Sequence, residues 1–249
     1  DGGRYNDIDK IMSRVKEMIQ EGVDIIDLGA CSSRPGSSSI SLQEERKRLF
    51  PALKKIREEF NDIIISIDTY RYQIAEKAIK YRVSMINDIY VEKNETKMFK
   101  VIKKHNIPYV LMHMSGNPKN MQKNISYDNF YDEIMMFFEN KIQKLNNIGC
   151  KKIILDPGFG FGKTLNQNYK LIDMIPDLKK FGCPILIGIS RKTMISKPLK
   201  IDSKNTLSGT IAANTICLVK GANIIRVHDV KEAKETIEIF KLVKNNTWN

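Results

Sequence analysis

The sequence predicts a closed (β/α)8 barrel, the TIM architecture, and three observations carry that expectation. Short β-branched apolar runs alternate with longer amphipathic stretches along the 249 residues, every run ends in polar residues, and those polar ends come from many different runs. In order the runs are 23–30 (VDIIDLGA), 62–68 (DIIISID), 84–89 (SMINDI), 108–113 (PYVLMH), 152–157 (KIILDP), 184–190 (PILIGIS) and 223–229 (NIIRVHD). Near-continuous apolar runs of this length suit strands buried on both faces of a parallel sheet.

The intervening stretches read as amphipathic helices. In the first, Ile8, Ile11, Met12, Val15, Met18 and Ile19 fall at i, i+3, i+4 spacing, with Asn6 or Asp7 to cap its start and Gly22 to end it. Similar stripes occur at Ile74/Ala75/Ala78/Ile79, Ile134/Phe137/Phe138/Ile142, Leu171/Ile172/Ile175/Leu178 and Ile237/Phe240/Leu242, so these helices should cover a sheet.

Strand–helix alternation alone allows an open doubly wound sheet or a barrel. Asp68, Asn87, Asp88, His113, Asp156, Ser190 and His228 sit at the C-terminal ends of six different runs. An open sheet concentrates function at one switch point, whereas a barrel gathers it from all strand ends onto one rim, which favours the barrel. Seven strands are visible and the chain opens on the loop-like DGGRYN without an initial Met, so the first barrel strand is expected upstream of Asp1. Residues 1–249 read as one domain, with 115–127 as a long rim loop and 245–249 as a frayed tail.

Composition narrows the function. The chain is 42% hydrophobic and 28% charged, and no stretch is long and apolar enough to span a bilayer. Its net charge of +12 comes from Lys and Arg spread over nearly every helix, such as Lys54, Lys55, Lys103, Lys104, Lys179 and Lys180, without a dense basic tail or an aromatic-studded stripe. That pattern argues against nucleic acid and is compatible with attraction of an anionic substrate. Cys31, Cys150, Cys183 and Cys217 occur singly, which indicates neither a zinc site nor a disulfide framework and fits a reducing cytoplasm.

Four segments carry chemistry. Asp156 to Thr164 (DPGFGFGKT) is not a phosphate-binding P-loop: Gly158 and Gly162 are separated by three residues where that loop needs four, and Pro157 intrudes. What remains is a strand ending in a carboxylate and a glycine-rich turn, expected to bare Asp156 and project Phe159 and Phe161 over a pocket; a simple capped turn is the plainer reading. Arg226 and His228 lie two residues apart at a strand end, hence on one side, suited to stacking on a flat heterocycle or gripping phosphate oxygens. Lys192 in GISRK and Arg34 in SSRPG add further cations. Three cations on one rim favour a phosphorylated substrate. Asp68, Asn87 and Asp156 instead ask for a neutral ring presenting N–H donors, because buried unpaired carboxylates are costly.

Taken in order, DGGRYN, SSRPG, SIDTY, INDI, VLMHMSGNPKNMQ, LDPGFGFGKT, GISRK and GANIIRVHDV resemble the dihydropteroate synthase family over nearly the whole chain. The resemblance implies condensation of a dihydropterin diphosphate with 4-aminobenzoate, releasing pyrophosphate. It implies a pterin pocket of Asp68, Asn87, Met112, Asp156, Gly188, Lys192 and Arg226, with Asp156 receiving the paired N–H groups and Arg226 stacking on the ring. Arg34, Arg226 and His228 would take the diphosphate. Ser33, Pro35, Phe161, Ser190 and Lys192 would form the 4-aminobenzoate slot, the site at which sulfonamides act. Asp68, Lys192, Arg226 and His228 would be the catalytic set, and the loops 2–6 and 32–36 mobile lids. Mg²⁺ is implied as cofactor, with its protein ligand an Asn upstream of Asp1, and a homodimer is implied through a helix face.

Departures exist. The family's Gly-Gly-Glu-Ser-Thr-Arg-Pro reads Gly29-Ala30-Cys31-Ser32-Ser33-Arg34-Pro35 here, leaving no obvious substitute for the carboxylate at Cys31, and Asn205-Thr206 replaces a common Glu-Arg. Alternatives from related chemistry are a pterin-binding methyltransferase barrel and a catalytically impaired pterin-binding paralogue. Lys192 and the Arg226/His228 pair argue against the methyltransferase, which needs no diphosphate grip.

Overall fold

The computed structural model describes residues 7–31, 40–117, 120–122 and 125–245. All seven runs form strands: β1 (Ile25–Gly29), β2 (Ile64–Asp68), β3 (Met85–Asp88), β4 (Tyr109–Met112), β5 (Ile153–Asp156), β6 (Leu186–Ile187) and β7 (Ile224–Ile225). Every pairing is parallel, and β1 to β5 lie side by side in chain order. The pair β6–β7 continues that order through the Leu155–Ile185 bridge. The sheet curls until its two edges face each other: Arg226 just beyond β7 reaches Asp27 of β1 at 2.7 Å, and Lys234 reaches Asp24 at 3.1 Å. The expected eighth strand has no counterpart among the described residues.

The main helices are α1 (Ile8–Gln20), α2 (Leu42–Glu59), α3 (Tyr72–Ile79), α4 (Glu95–His105), α5 (Phe130–Asn147), α6 (Leu165–Leu178), α7 (Thr193–Leu199), α8 (Leu207–Lys220) and α9 (Val230–Asn245). Their starts follow side-chain chemistry. Asp7 caps α1 by accepting from Asp9 N, Ser41 caps α2, and Thr164 with Gln167 forms a capping box at α6. Of the two residues offered as the first cap, Asp7 serves; Asn6 lies outside the described residues. The last predicted stripe holds in part: Ile237 and Phe240 of α9 are half-buried, but Leu242 is 61% exposed, and the fully buried positions are Val230 and Ala233 near the helix start. Nor does the tail fray from 245, because Asn245 still belongs to α9; residues 246–249 lie outside the described set.

Strand alternation divides the core into two layers. The register pairs Asp27 with Ser66, Asp68 with Asn87, Asn87 with Val110, Met112 with Asp156 and Leu186 with Ile224, so one parity faces inward all round. Inward residues Met85, Val110, Ile154 and Leu186, with Ile25 and Ile224, fill the barrel interior as one apolar layer. The opposite parity, including Ile65, Ile67, Ile86, Tyr109, Leu111, Ile153, Leu155 and Ile187, merges with the helix stripes into the main core. Burying such side chains is the chief stabilising contribution, roughly 1.5–3 kcal/mol for each large apolar one. No described helix is long and apolar enough to cross a membrane.

Candidate active site

Two residues beyond the apolar inner layer, each strand contributes one rim position of the same parity: Asp27, Asp68, Asn87, Met112, Asp156, Gly188 and Arg226. Six of these seven were read from the sequence as pterin-site candidates. One further step along the chain places Ser190 and His228 above them. The acids, the amide and the cations thus share one end of the barrel.

Charge at this rim is arranged by burial as much as by contact. Asp68 is 8% exposed and its carboxyl is pushed up to about 7 by burial and the neighbouring Asp27, against the pull of Arg226, whose Nη2 lies 3.5 Å away. Asp156 is also raised by burial, opposed by Lys192, and its Oδ1 accepts from Gly158 N at 2.7 Å. Burial lowers Lys192 to about 8 despite Asp156 nearby. Its ammonium donates to Phe159 O at 2.6 Å and sits 4.7 Å over the Phe161 ring. Arg226 is held above its ordinary range, first by Asp27 and then by Asp68. Buried acceptors remain: Asp27 Oδ1 and Asn87 Oδ1 have no partner among the described residues, although Asn87 Nδ2 donates to Asp27 Oδ2 at 3.1 Å. Such atoms are costly to bury and suit a ligand rich in N–H donors.

At the upper level His228 and Ser190 bond each other, Nδ1 to Oγ at 2.9 Å, and Ser190 Oγ accepts from His228 N at 3.2 Å. Burial and the cations Arg226 and Arg191 lower His228 to about 4, so its ring is neutral at pH 7. Arg191 pairs with Asp229 through two donors, Nε to Oδ2 being 3.0 Å, which ties the loop after β6 to the loop after β7. Arg14 of α1 adds a bond to His228 O at 2.6 Å. Sequence reading missed Asp27, Arg191 and Asp229. A carboxylate of inward parity inside the apolar run IIDLG was the available signal for Asp27; the Arg191–Asp229 pair, 38 residues apart, left none.

Gly188 leaves open space: an added Cβ would sit 3.8 Å from Arg226 Cβ and 3.9 Å from Lys192 Nζ, filling the gap between two cations. Gly29 serves a different purpose, since a Cβ there would come within 2.9 Å of Asp68 Cβ.

Several expectations need correcting. Asp88 and His113, counted among the polar strand ends, have outward parity. Asp88 accepts from Tyr109 Oη at 2.8 Å and Tyr90 N at 2.9 Å, and His113 Nδ1 meets Lys163 Nζ at 3.0 Å. The glycine-rich turn does not present both aromatics. Phe159 is fully buried in the main core, whereas Phe161 packs at the rim beside Met112, Met114 and Met121. Cys31 is not left without a compensating acid nearby: Arg71 approaches its Sγ at 3.7 Å, and Glu45 from α2, 1% exposed, pairs with Arg71 and accepts from Thr69 Oγ1 at 2.7 Å. Burial drives the Cys31 thiol up to about 12, which disfavours the thiolate. Thr206 also finds a local role, fully buried with its Oγ1 donating to Ser203 O at 2.7 Å. The positions Ser33, Arg34 and Pro35, and both expected lids, lie outside the described residues.

The family described as pterin binding enzyme matches residues 1–228. Dihydropteroate synthase of Clostridium beijerinckii is 41% identical over 246 residues, 98% of this chain and 88% of the relative. The crystal structure of Yersinia pestis dihydropteroate synthase with a sulfonamide drug complex superposes with a TM-score of 0.93 at 36% identity, covering 98% of this chain and 89% of that one. That of the Thermus thermophilus enzyme in complex with 4-aminobenzoate gives 0.86 at 32% identity, over 93% and 88% of the two chains.

Proposed function

The chain belongs to the pterin-binding enzyme family, and from that premise we propose that it acts as a dihydropteroate synthase of folate synthesis, joining a dihydropterin diphosphate to 4-aminobenzoate with release of pyrophosphate. The observation that carries the reading is the single inward-facing rim on which Asp68, Asn87 and Asp156 meet Lys192 and Arg226. Acceptors recognise the flat nitrogen heterocycle and cations receive the anion that leaves it.

In this assignment Asp156 and Asn87 accept from the pterin N–H edge, Lys192 donates toward its carbonyl side, and Met112 and the space at Gly188 border the ring. Arg226 stacks on the ring and, with His228 and Arg34, takes the diphosphate. The carbon–oxygen bond to diphosphate breaks as positive charge builds on the pterin methylene; in this assignment Asp68 stabilises that charge and the cations stabilise the departing anion. The aniline nitrogen then forms the new bond and loses its proton. Phe161, Ser190 and Lys192, with Ser33 and Pro35, form the 4-aminobenzoate slot. His228 is neutral and holds Ser190 in place, so it positions and donates rather than adding charge.

Mg²⁺ finds no cage among the described residues. They hold no cluster of three His, Cys, Asp or Glu side chains, and Asp27 and Asp68 are engaged with Arg226. A hard cation needs an oxygen shell, which the diphosphate would supply in place of these side chains. A homodimer is supported by α8 and α9, which expose Ile216, Val219, Ile239, Leu242 and Val243. Four free cysteines support a cytoplasmic setting.

The test is direct: purified chain with Mg²⁺, dihydropterin diphosphate and 4-aminobenzoate should release pyrophosphate and form dihydropteroate. Arg226→Ala should lower kcat/KM for the pterin substrate roughly ten- to a hundred-fold. Wild-type chain that forms no dihydropteroate, or a variant with unchanged kinetics, contradicts the assignment.

A further inference from the structure

We propose that Asp27 is a positioning residue of this site, the shared anchor that sets Arg226 and Asn87 in place at the rim. One oxygen does both jobs. Asp27 Oδ2 accepts from Arg226 Nε at 2.7 Å and from Asn87 Nδ2 at 3.1 Å, joining a strand end on one edge of the sheet to the amide of β3.

Arg226 needs such an anchor because packing alone does not fix it. Its side chain is 43% exposed, against 16% for Asp27 and 10% for Asp68. With Nε on Asp27 and Nη2 3.5 Å from Asp68, the guanidinium is gripped along one edge. Two points on one edge define its plane and leave its flat face and Nη1 for a ligand, which is what stacking and anion contact both require. Asn87 is oriented in the same way: with Nδ2 committed to Asp27, Oδ1 is the amide atom left over, buried and unpaired.

The residue is costly for the fold. β1 is otherwise Ile25, Ile26, Leu28 and Gly29, and an apolar side chain at 27 would extend the inner layer of Ile25, Met85 and Val110. Instead Asp27 leaves Oδ1 buried without a partner among the described residues and stands beside Asp68, a like charge that helps push that carboxyl upward. A group that burdens the scaffold while organising two others belongs to the site rather than to stability.

The inference rests on the functional reading above, so the experiment has one arm that needs no ligand. In the full chain, the Arg226 Nε–H resonance, identified by its loss in Arg226→Lys, should be resolved and slow to exchange in the wild type and collapse to the solvent-averaged position in Asp27→Ala. The second arm follows binding of dihydropterin diphosphate by fluorescence titration, without turnover. Asp27→Ala should weaken binding about ten-fold, yet change it less than about two-fold when made in Arg226→Ala, because the effect passes mainly through Arg226. Asp27→Asn, which keeps shape and one acceptor, should recover about half of the logarithmic loss and fold normally if the alanine variant does not. An Arg226 resonance indifferent to Asp27, or equal Asp27→Ala losses in both backgrounds, overturns the proposal. Wild-type chain that binds no pterin sinks the functional reading instead and leaves the anchor judged on the resonance.

Discussion

On the inner face of the rim Asp68 and Asp156 meet Arg226 and Lys192 beside the unpartnered acceptors of Asp27 and Asn87, whereas one parity step away Asp88, His113 and Lys163 find their partners within the protein. Both groups are buried and both shift in the same direction: Asp68 and Asp88 each rise to about 7, and Lys192 and Lys163 fall to about 8 and about 7. A perturbed pKa therefore does not separate ligand-facing from structural groups here. Partners do. Lys163 donates to Gly158 O and Phe161 O at 3.0 Å each and contacts His113 Nδ1, which staples the glycine-rich turn onto the end of β4. Gly158 permits the approach, since a Cβ there would lie 1.9 Å from His113 O and its φ is +71°. Lys192, by contrast, has Phe159 O and a ring face, leaving donors to spare.

The contrast breaks most readily on the two aromatics of that turn. Phe159→Ala should cost about 3–5 kcal/mol of stability in denaturant unfolding, because it empties a filled position in the main core. Phe161→Ala should melt close to the wild type while KM for 4-aminobenzoate rises about ten-fold, roughly 1.4 kcal/mol; equal destabilisation by both would erase the distinction between the faces. An effect smaller than that of Phe159→Ala is expected from the acids and cations. Asp156→Asn should lose about 1.5–3 kcal/mol of transition-state stabilisation with an unchanged or higher melting temperature, since the Gly158 N bond survives and a raised carboxylate is removed. Lys163→Met should do the reverse, with lowered stability and a Michaelis constant for the pterin substrate near that of the wild type.

The finest separation is by pH. Asp88 keeps its proton in the folded state up to about 7, where the unfolded chain releases it near 3.8. The folded state then binds more protons across that window, so this group's contribution falls as pH rises from about 4 to about 7. Asp88→Asn should flatten that decline in melting temperature without altering kcat/KM. Melting curves of variant and wild type that stay parallel from pH 4 to 7 would count against the assignment.

Much of this was legible in the residues. The seven apolar runs became the seven strands, each trimmed at its ends, because a strand buried on both faces demands β-branched apolar side chains. The motif residues Asp68, Asn87, Asp156, Lys192 and Arg226 converge as their strand-end positions required. Asp88 and His113 were misjudged because lying at a strand end was weighed without parity, although the alternation that turns them outward was already in the sequence. Asp27 was passed over for the same reason.

The linear order of residues by itself determined the strand–helix alternation, the rim, and the families of side chains gathered there, since period and strand polarity are local properties of the chain. Tertiary structure alone decided that Glu45 answers Arg71 beside Cys31, that Phe159 enters the core while Phe161 stays at the rim, and that Asp27 meets Arg226 from 199 residues away. Those outcomes depend on which surfaces close on one another when the sheet curls, and no spacing along the chain encodes a contact whose two halves are brought together only by that closure.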